Sequence, residues 1–222
     1  MIKPDQIIRT RRKTIALIIK PDGSLVVRAP LRASRRQIEQ LIEEKAPWIM
    51  ATQEKVRQSY PQITPKEYVN GEGFLYLGKS YRLAITPDAR LPLALEEQFQ
   101  LSASALPQAR AVFIDWYRQQ ARQVIAERVA WFAAKYGFHY ARIKITSART
   151  RWGSYSSKGT LSFTWRLVMA PVEIIDYVVV HELAHTLEHN HGKAFWEKVK
   201  AITPDYKQKI AWLKINGETM DI

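Results

Sequence analysis

Four of the five histidines, His181, His185, His189 and His191, fall in one short window, while His139 lies far upstream in a turn. The segment His181-Glu182-Leu183-Ala184-His185 sets two imidazoles four residues apart. On a helix such a pair shares one face and can meet a single cation, and Glu182 starts beside that face. These residue types suit hydrolysis. A zinc hydrolase holds its ion with three protein ligands, keeps water in the fourth position, and needs a nearby base to deprotonate that water. Glu182 fits the base. The competing reading is a buried helix with hydrogen-bonded core histidines. It is the costlier one, because two histidines and an acid after the apolar run Tyr177-Val178-Val179-Val180 need partners.

A third ligand must come from nearby. His189 continues the four-residue spacing, but on a straight helix with a rise of about 1.5 Å per residue it would lie roughly 12 Å from His181, too far to share one ion. Asn190-His191-Gly192 supplies a break, and Lys193-Ala194-Phe195-Trp196 opens a new apolar-periodic segment. His191 can therefore swing back toward the first pair and is the assigned third ligand. His189 remains the competing choice and Glu188 a weaker oxygen ligand. With no cysteine in the chain, disulfides, thiolate zinc sites, iron–sulfur clusters and cysteine nucleophiles are excluded together.

Stepping outward, Pro171 suits the first turn of a helix running from Val172 to Leu187, so apolar before His181 that it must be largely buried. Gln108 to Tyr136, free of Pro and Gly and closed by Gly137, is the clearest long helix. Ile143–Thr146 and a hairpin of Trp152–Tyr155 with Thr160–Trp165 read as strands packed against it. Upstream, Ile15–Ile19 and Leu25–Arg28 flank a turn at Pro21-Asp22-Gly23. Phe74–Leu77 and Tyr81–Ile85 flank Gly78-Lys79-Ser80, and Gln98–Leu101 adds a short strand. Ser34 can cap a helix from Arg35 to Gln53, which Pro47 bends or ends. Tyr60 to Pro65 reads as a linker. The expected class is α+β, with residues 1–105 as an N-terminal β-rich region carrying one helix and 106–222 as the core.

At 222 residues, with 46% apolar and 25% charged residues, the chain is globular in composition, which excludes disordered and collagen-like classes. Its 34 Lys and Arg against 21 Asp and Glu give a formal charge of +13, a balance that favours polyanions such as nucleic acid or anionic lipid. Acids interspersed among the bases weaken the case for a dedicated groove. The alternative function is thus a nucleic-acid-associated basic module with a structural metal site, in which Arg9, Arg11, Arg12, Lys13, Arg35 and Arg36 engage phosphate. An intact Glu182 argues against a degenerate scaffold, since a structural zinc site needs no base. The stretch Met1 to Thr14 lacks the apolar core of a signal peptide, and no run reaches the roughly 18 apolar residues of a membrane span, so a cytoplasmic location is expected. Oligomeric state is not legible.

One resemblance extends this reading. Arg151-Trp152-Gly153-Ser154-Tyr155-Ser156, Thr164-Trp165-Arg166-Leu167, Asp176 through His185, Asn190-His191-Gly192 and Phe195-Trp196 together resemble the YgjP-like metallopeptidase family, which is similar in its metal motif to the SprT-like and WLM zinc peptidases. The resemblance implies a compact gluzincin-like zincin core of a long helix, a small antiparallel sheet and a metal-binding helix. It also implies one zinc ion on His181, His185 and His191, Glu182 as base, and a peptide or protein substrate. Since SprT-like relatives act on DNA-bound proteins, a basic chain would suit such a setting. Tyr155 stands where members of the family often carry Cys, so no thiol can act there. Arg151, Trp152 and Trp165 are candidate substrate contacts beside the metal helix, in a hairpin able to align an extended peptide by strand addition. For the two tryptophans core packing is the stronger reading. Tyr206 is a candidate donor to a developing oxyanion.

Overall fold

The computed structural model describes residues 2–20, 23–59, 65–87 and 90–222. They group into two compact units, Met1–Thr64 and Pro65–Ile222. In the first, β1 (Gln6–Thr10), β2 (Ala16–Ile19) and β3 (Leu25–Pro30) form a sheet ordered β1-β3-β2, with β3 parallel to β1 and antiparallel to β2. The expected β2–β3 hairpin is present. Gly23 sits at φ +80°, a conformation open to glycine, and its N–H reaches the Lys20 carbonyl at 2.8 Å; Pro21 and Asp22 lie outside the described residues.

Ser34 caps α1 (Arg35–Glu44) through a reciprocal capping box with Gln37. What reads as one helix to Gln53 is two, because α2 (Ala46–Ser59) restarts with Pro47 in its first turn, where a missing N–H costs nothing. Leu25, Val27 and Ala29 meet Ile38, Ile42 and Ile49 in this unit's own core. The expected linker at Tyr60–Pro65 lies, apart from Pro65, outside the described residues.

The second unit opens with β4 (Gly73–Tyr76), β5 (Lys79–Thr86), β6 (Leu93–Leu95) and β7 (Phe99–Ser102), ordered β4-β5-β7-β6. Phe74, Leu83, Phe99 and Leu101 from these strands share one core with α3 (Ala109–Tyr136), so strands that the sequence groups with the N-terminal region pack here on the long helix. Phe113, Tyr117, Ala121, Ile125, Val129 and Phe132 give α3 a buried stripe at helical spacing, and Gly137 closes it in the left-handed region at φ +71°.

A second sheet packs against α3: β8 (Arg142–Thr146), β9 (Gly153–Tyr155) and β10 (Thr160–Thr164), ordered β8-β10-β9. It is mixed, where a small antiparallel sheet is expected. β9 and β10 form the antiparallel hairpin, but the chain leaving β8 passes to the far edge before β9, so β10 returns to the middle running parallel to β8.

The helix α4 (Val172–Ala184) is buried on nearly all sides, as its composition requires. Two contacts fix it. Arg128 of α3 grips Asp176 in a bidentate pair at 2.5 and 2.7 Å. At its start, the β4–β5 turn donates Leu77 N–H to Val168 O at 2.8 Å and Gly78 N–H to Met169 O at 3.1 Å. Gly78, at φ +79°, lies so near that an added Cβ would stand 2.8 Å from Pro171 Cγ. The helices α5 (Lys193–Ile202) and α6 (Tyr206–Asn216) complete an α+β fold. Among the described residues no helix is long and apolar enough to cross a membrane.

Candidate metal centre

Apart from Glu173 near its start and Asp176, which Arg128 holds, the charged and imidazole residues of α4 lie in its last turn. His181 and the buried Glu182 follow the apolar run Tyr177–Val180, and His185 occupies the C-cap. The helix stops at Ala184, earlier than the expected Leu187. A tight turn follows, in which the N–H groups of Thr186, Leu187 and Glu188 bond back to Leu183 and Ala184 at 2.9, 3.1 and 3.0 Å. A second turn, Gly192 N–H to Asn190 O at 2.8 Å, leads into α5 and brings His191 back over α4. One ring nitrogen from each of His181, His185 and His191 then lies within 4.8 Å of the others, and the Nε2 atoms of His191 and His181 are 3.0 Å apart.

The protonation of these rings can be argued from their neighbours. His185 Nδ1 lies 3.0 Å from the Glu188 carbonyl, which can only accept, so Nδ1 carries the proton and Nε2 keeps its lone pair for the centre. Burial, and then the charges of His185 and His191, push the His181 pKa down to about 4; burial chiefly lowers that of His185 as well. Both rings are neutral at neutral pH, the form that binds a metal. Phe195, fully buried, backs them with its ring centroid 4.5 Å from His185 and 4.7 Å from His191. His181 Nδ1 is buried with no hydrogen-bond partner. Three converging imidazoles, with His181 and His191 in direct nitrogen–nitrogen contact and the other His181 nitrogen orphaned, fit a cation far better than they fit one another.

Glu182 is 5% exposed, and burial raises its pKa to about 8 against the opposing charge of Arg151. Its carboxylate fits because β9 begins with glycine: a Cβ on Gly153 would stand 2.6 Å from both Cγ and Oε1 of Glu182. Arg151 itself is exposed. Trp152 is half-buried and lines a cavity of about 320 Å³ beside His181 and Glu182. A second cavity, of about 340 Å³, opens on the other side along Ser154, Tyr155 and Ser157.

His189 stands outside the three-nitrogen group, its ring stacked 6.3 Å from that of Tyr155. The Glu188 carboxylate faces Lys198 at 3.9 Å rather than the imidazoles. Trp165 is 1% exposed and stacks on Tyr117, so it is core. Tyr206 stacks on Trp196 at 5.0 Å, one ring removed from the histidines. The exposed His139 is not part of the converging group.

Residues beyond those singled out in the sequence also line the site. Tyr177 lies one helical turn before His181, its ring 5.9 Å away and its hydroxyl pKa raised to about 12, chiefly by burial. The same i, i+4 spacing that pairs the histidines could have marked it. For Gly153 the only available signal was a glycine within a strand, and for Ile210 and Leu213 of α6 there was none.

No curated protein matches the chain. Among solved structures, the metallopeptidase zymogen of Pyrococcus abyssi abylysin overlaps 40% of this chain and 92% of its own at 18% identity and a TM-score of 0.38. The metallopeptidase zymogen of Methanocaldococcus jannaschii jannalysin overlaps 41% of this chain and 97% of its own at 23% identity and a TM-score of 0.36. Coverage of a different order comes from the family described as YgjP-like, metallopeptidase domain, which matches residues 13–216 and so spans both units. With nearly its whole length matched, the chain belongs to the YgjP-like metallopeptidase family and is a metal-dependent peptidase.

Proposed function

We propose that the protein is a zinc peptidase that hydrolyses a peptide or protein substrate, with His181, His185 and His191 as the metal ligands and Glu182 as general base. The observation that carries this reading is the convergence of three imidazole nitrogens within 4.8 Å beside a buried carboxyl. An all-nitrogen set of three suits zinc, and leaves a coordination position open. When bound, the ion would act as a Lewis acid that acidifies water and polarises the scissile carbonyl.

The chain's own groups do the rest. Glu182 takes a proton at its carboxylate from the attacking water and returns it to the leaving amine. Burial raises the proton affinity of this carboxyl, which suits it to accept a proton from water and pass it on. Glu188 holds His185 in the tautomer that presents Nε2, and Phe195 limits water around the rings. The test is Glu182→Gln: bound zinc is expected to stay near wild type while turnover of a peptide substrate falls by at least about 10²-fold. Wild-type turnover in a clean preparation would remove Glu182 from the mechanism.

A second reading, nucleic-acid binding, draws on where the charge sits. Met1–Thr64 holds 13 Lys and Arg against six Asp and Glu, a surplus of seven in the smaller unit. Arg11, Arg12, Lys13, Arg32 and Arg36 have no acidic partner among the described residues, whereas Arg35 pairs with Glu39. Binding of labelled DNA by the full chain is then expected to weaken steeply with salt; absence of binding at low ionic strength would end this reading.

A further inference from the structure

The two cavities flanking the centre differ in chemistry, and the difference bears on substrate choice. Both include Gly153, His181 and Glu182, so they meet at the same carboxyl and imidazole. The side along Ser154, Ser157 and His189 is polar. The other is walled by the Trp152 and Tyr177 rings, Val178, Ile210 and Leu213, with the exposed Lys214 at its rim. Three elements build this apolar side: the approach to β9, the face of α4 one turn before His181, and α6.

Trp152 is held in this wall by a fitted contact. A Cβ on Gly217, just past α6, would stand 2.6 Å from Trp152 Cζ2. Gly217 has an ordinary helical conformation at φ −59°, ψ −32°, so its lack of a side chain serves the indole rather than the backbone. The indole thus lies flush against the end of α6, leaving about 320 Å³ open beside the reacting groups. That is the lower end of the size range of ligand pockets. A polar side chain entering it would give up water for hydrocarbon, while an aliphatic or aromatic one would gain.

We propose that this cavity seats a large apolar side chain of the peptide, so that the enzyme selects a leucine-, methionine- or phenylalanine-like residue adjoining the scissile bond. The assignment rests on the peptidase reading above and adds the substrate class to it. Trp152, Ile210 and Leu213 set the size of the accepted side chain, and Gly217 positions Trp152. The main chain of the substrate would run across Gly153 toward the polar side, where hydroxyl and imidazole groups tolerate varied side chains.

The test uses the full-length, zinc-loaded protein and two readouts. In two-dimensional NMR titrations, N-acetyl-leucinamide and N-acetyl-phenylalaninamide are expected to bind roughly 10- to 100-fold more tightly than N-acetyl-serinamide, the discrimination an apolar pocket provides. Shifts should centre on the amides of Val178 and Leu213. Gly217→Ala, which drives the indole into the cavity, should erase most of that preference, and Leu213→Ala should move it toward tryptophan. In a mixed peptide digest, cleavage should fall beside large apolar residues, and in Gly217→Ala beside smaller ones. Equal binding of the serine and leucine amides overturns the assignment, as does a preference that both folded variants leave unchanged. The two readings fail separately. Cleavage without side-chain preference sinks the pocket and keeps the peptidase, whereas apolar binding at Val178 and Leu213 with no peptide cut keeps the pocket and sinks the peptidase.

Discussion

Replacing Gly153 by alanine isolates how the proposed base is held. The added methyl would sit 2.6 Å from both Cγ and Oε1 of Glu182 and 2.8 Å from Cδ, against an ordinary carbon contact of about 3.5–4.0 Å. Relief therefore needs a shift of roughly 1 Å, and Glu182, 5% exposed, has little free space to take it. No left-handed backbone angle is involved at Gly153, so alanine adds bulk without backbone strain. The two consequences differ in size. Overpacking of one methyl costs about 1–3 kcal/mol of stability, which for a chain of this length lowers the melting temperature by a few degrees. A displacement of about 1 Å at a proton-transfer group costs on the order of 10²-fold in turnover.

The assay is kcat/KM on a peptide substrate, run beside elemental zinc content and a thermal melt of the same preparation. The expected pattern is near-stoichiometric zinc, a modest loss of stability, and turnover reduced about 100-fold. Gly153→Ala with wild-type turnover and full zinc would refute the reasoning, since either the carboxylate tolerates the shift or Glu182 is not the proton carrier.

Other outcomes follow from the same geometry. Elemental analysis should find zinc severely depleted in His191→Ala but near wild type in His189→Ala, because only the former removes a nitrogen from the converging group; the reverse pattern would reassign the ligand. In the metal-free protein, Glu182 titrates near 8 when folded against 4.5 for the unreacted group, so the folded state holds the proton more tightly. Its contribution is therefore most favourable below pH 4.5 and is lost as pH rises through about 8, a difference of a few kcal/mol. Glu182→Gln should flatten that slope in pH-dependent melts, and an unchanged slope would contradict the burial argument. Asp221 works in the opposite direction: burial would raise its pKa, but hydrogen bonds from Arg166, the Ile222 N–H and Arg149 outweigh this and hold it below 3.8. Asp221→Asn should thus cost about 2 kcal/mol at neutral pH, with the deficit fading as pH falls below the ordinary carboxylate range; a deficit that persists in acid would exclude the ion pair as its source.

What the sequence made legible was local. The long helix, the hairpins, the Ser34 cap and the histidine pair each announce themselves within a few residues, through period, turn chemistry or spacing. The helix break that frees His191 was also readable, though its position was not. Ala184 ends the helix three residues earlier than its apolar pattern implies, because the turn bonds of Thr186 to Glu188 replace its last turn. Long-range pairing was not legible. The parallel β8–β10 contact depends on where the chain goes between two strands, and the nearness of Gly153 to Glu182 depends on how β9 packs on α4. The α6 wall was equally silent, since Ile210 and Leu213 pack against the core as ordinary apolar residues do and line the cavity only through the way α6 is placed.

The β4–β5 turn carries one more implication. With Gly78 pressed on Pro171, and with the N–H groups of Leu77 and Gly78 bonded to Val168 and Met169, α4 rests on a fixed seat at its N-terminal end while its proposed working residues lie at the other. A stiff rod transmits an axial push along its whole length, and this one is gripped midway by Arg128. Any side chain at position 78 would load that seat from below, since the position combines a left-handed backbone with a 2.8 Å approach. In a genetic screen for lost activity, position 78 would then score with the histidines themselves, although it lies in a strand-to-strand turn about a hundred residues upstream.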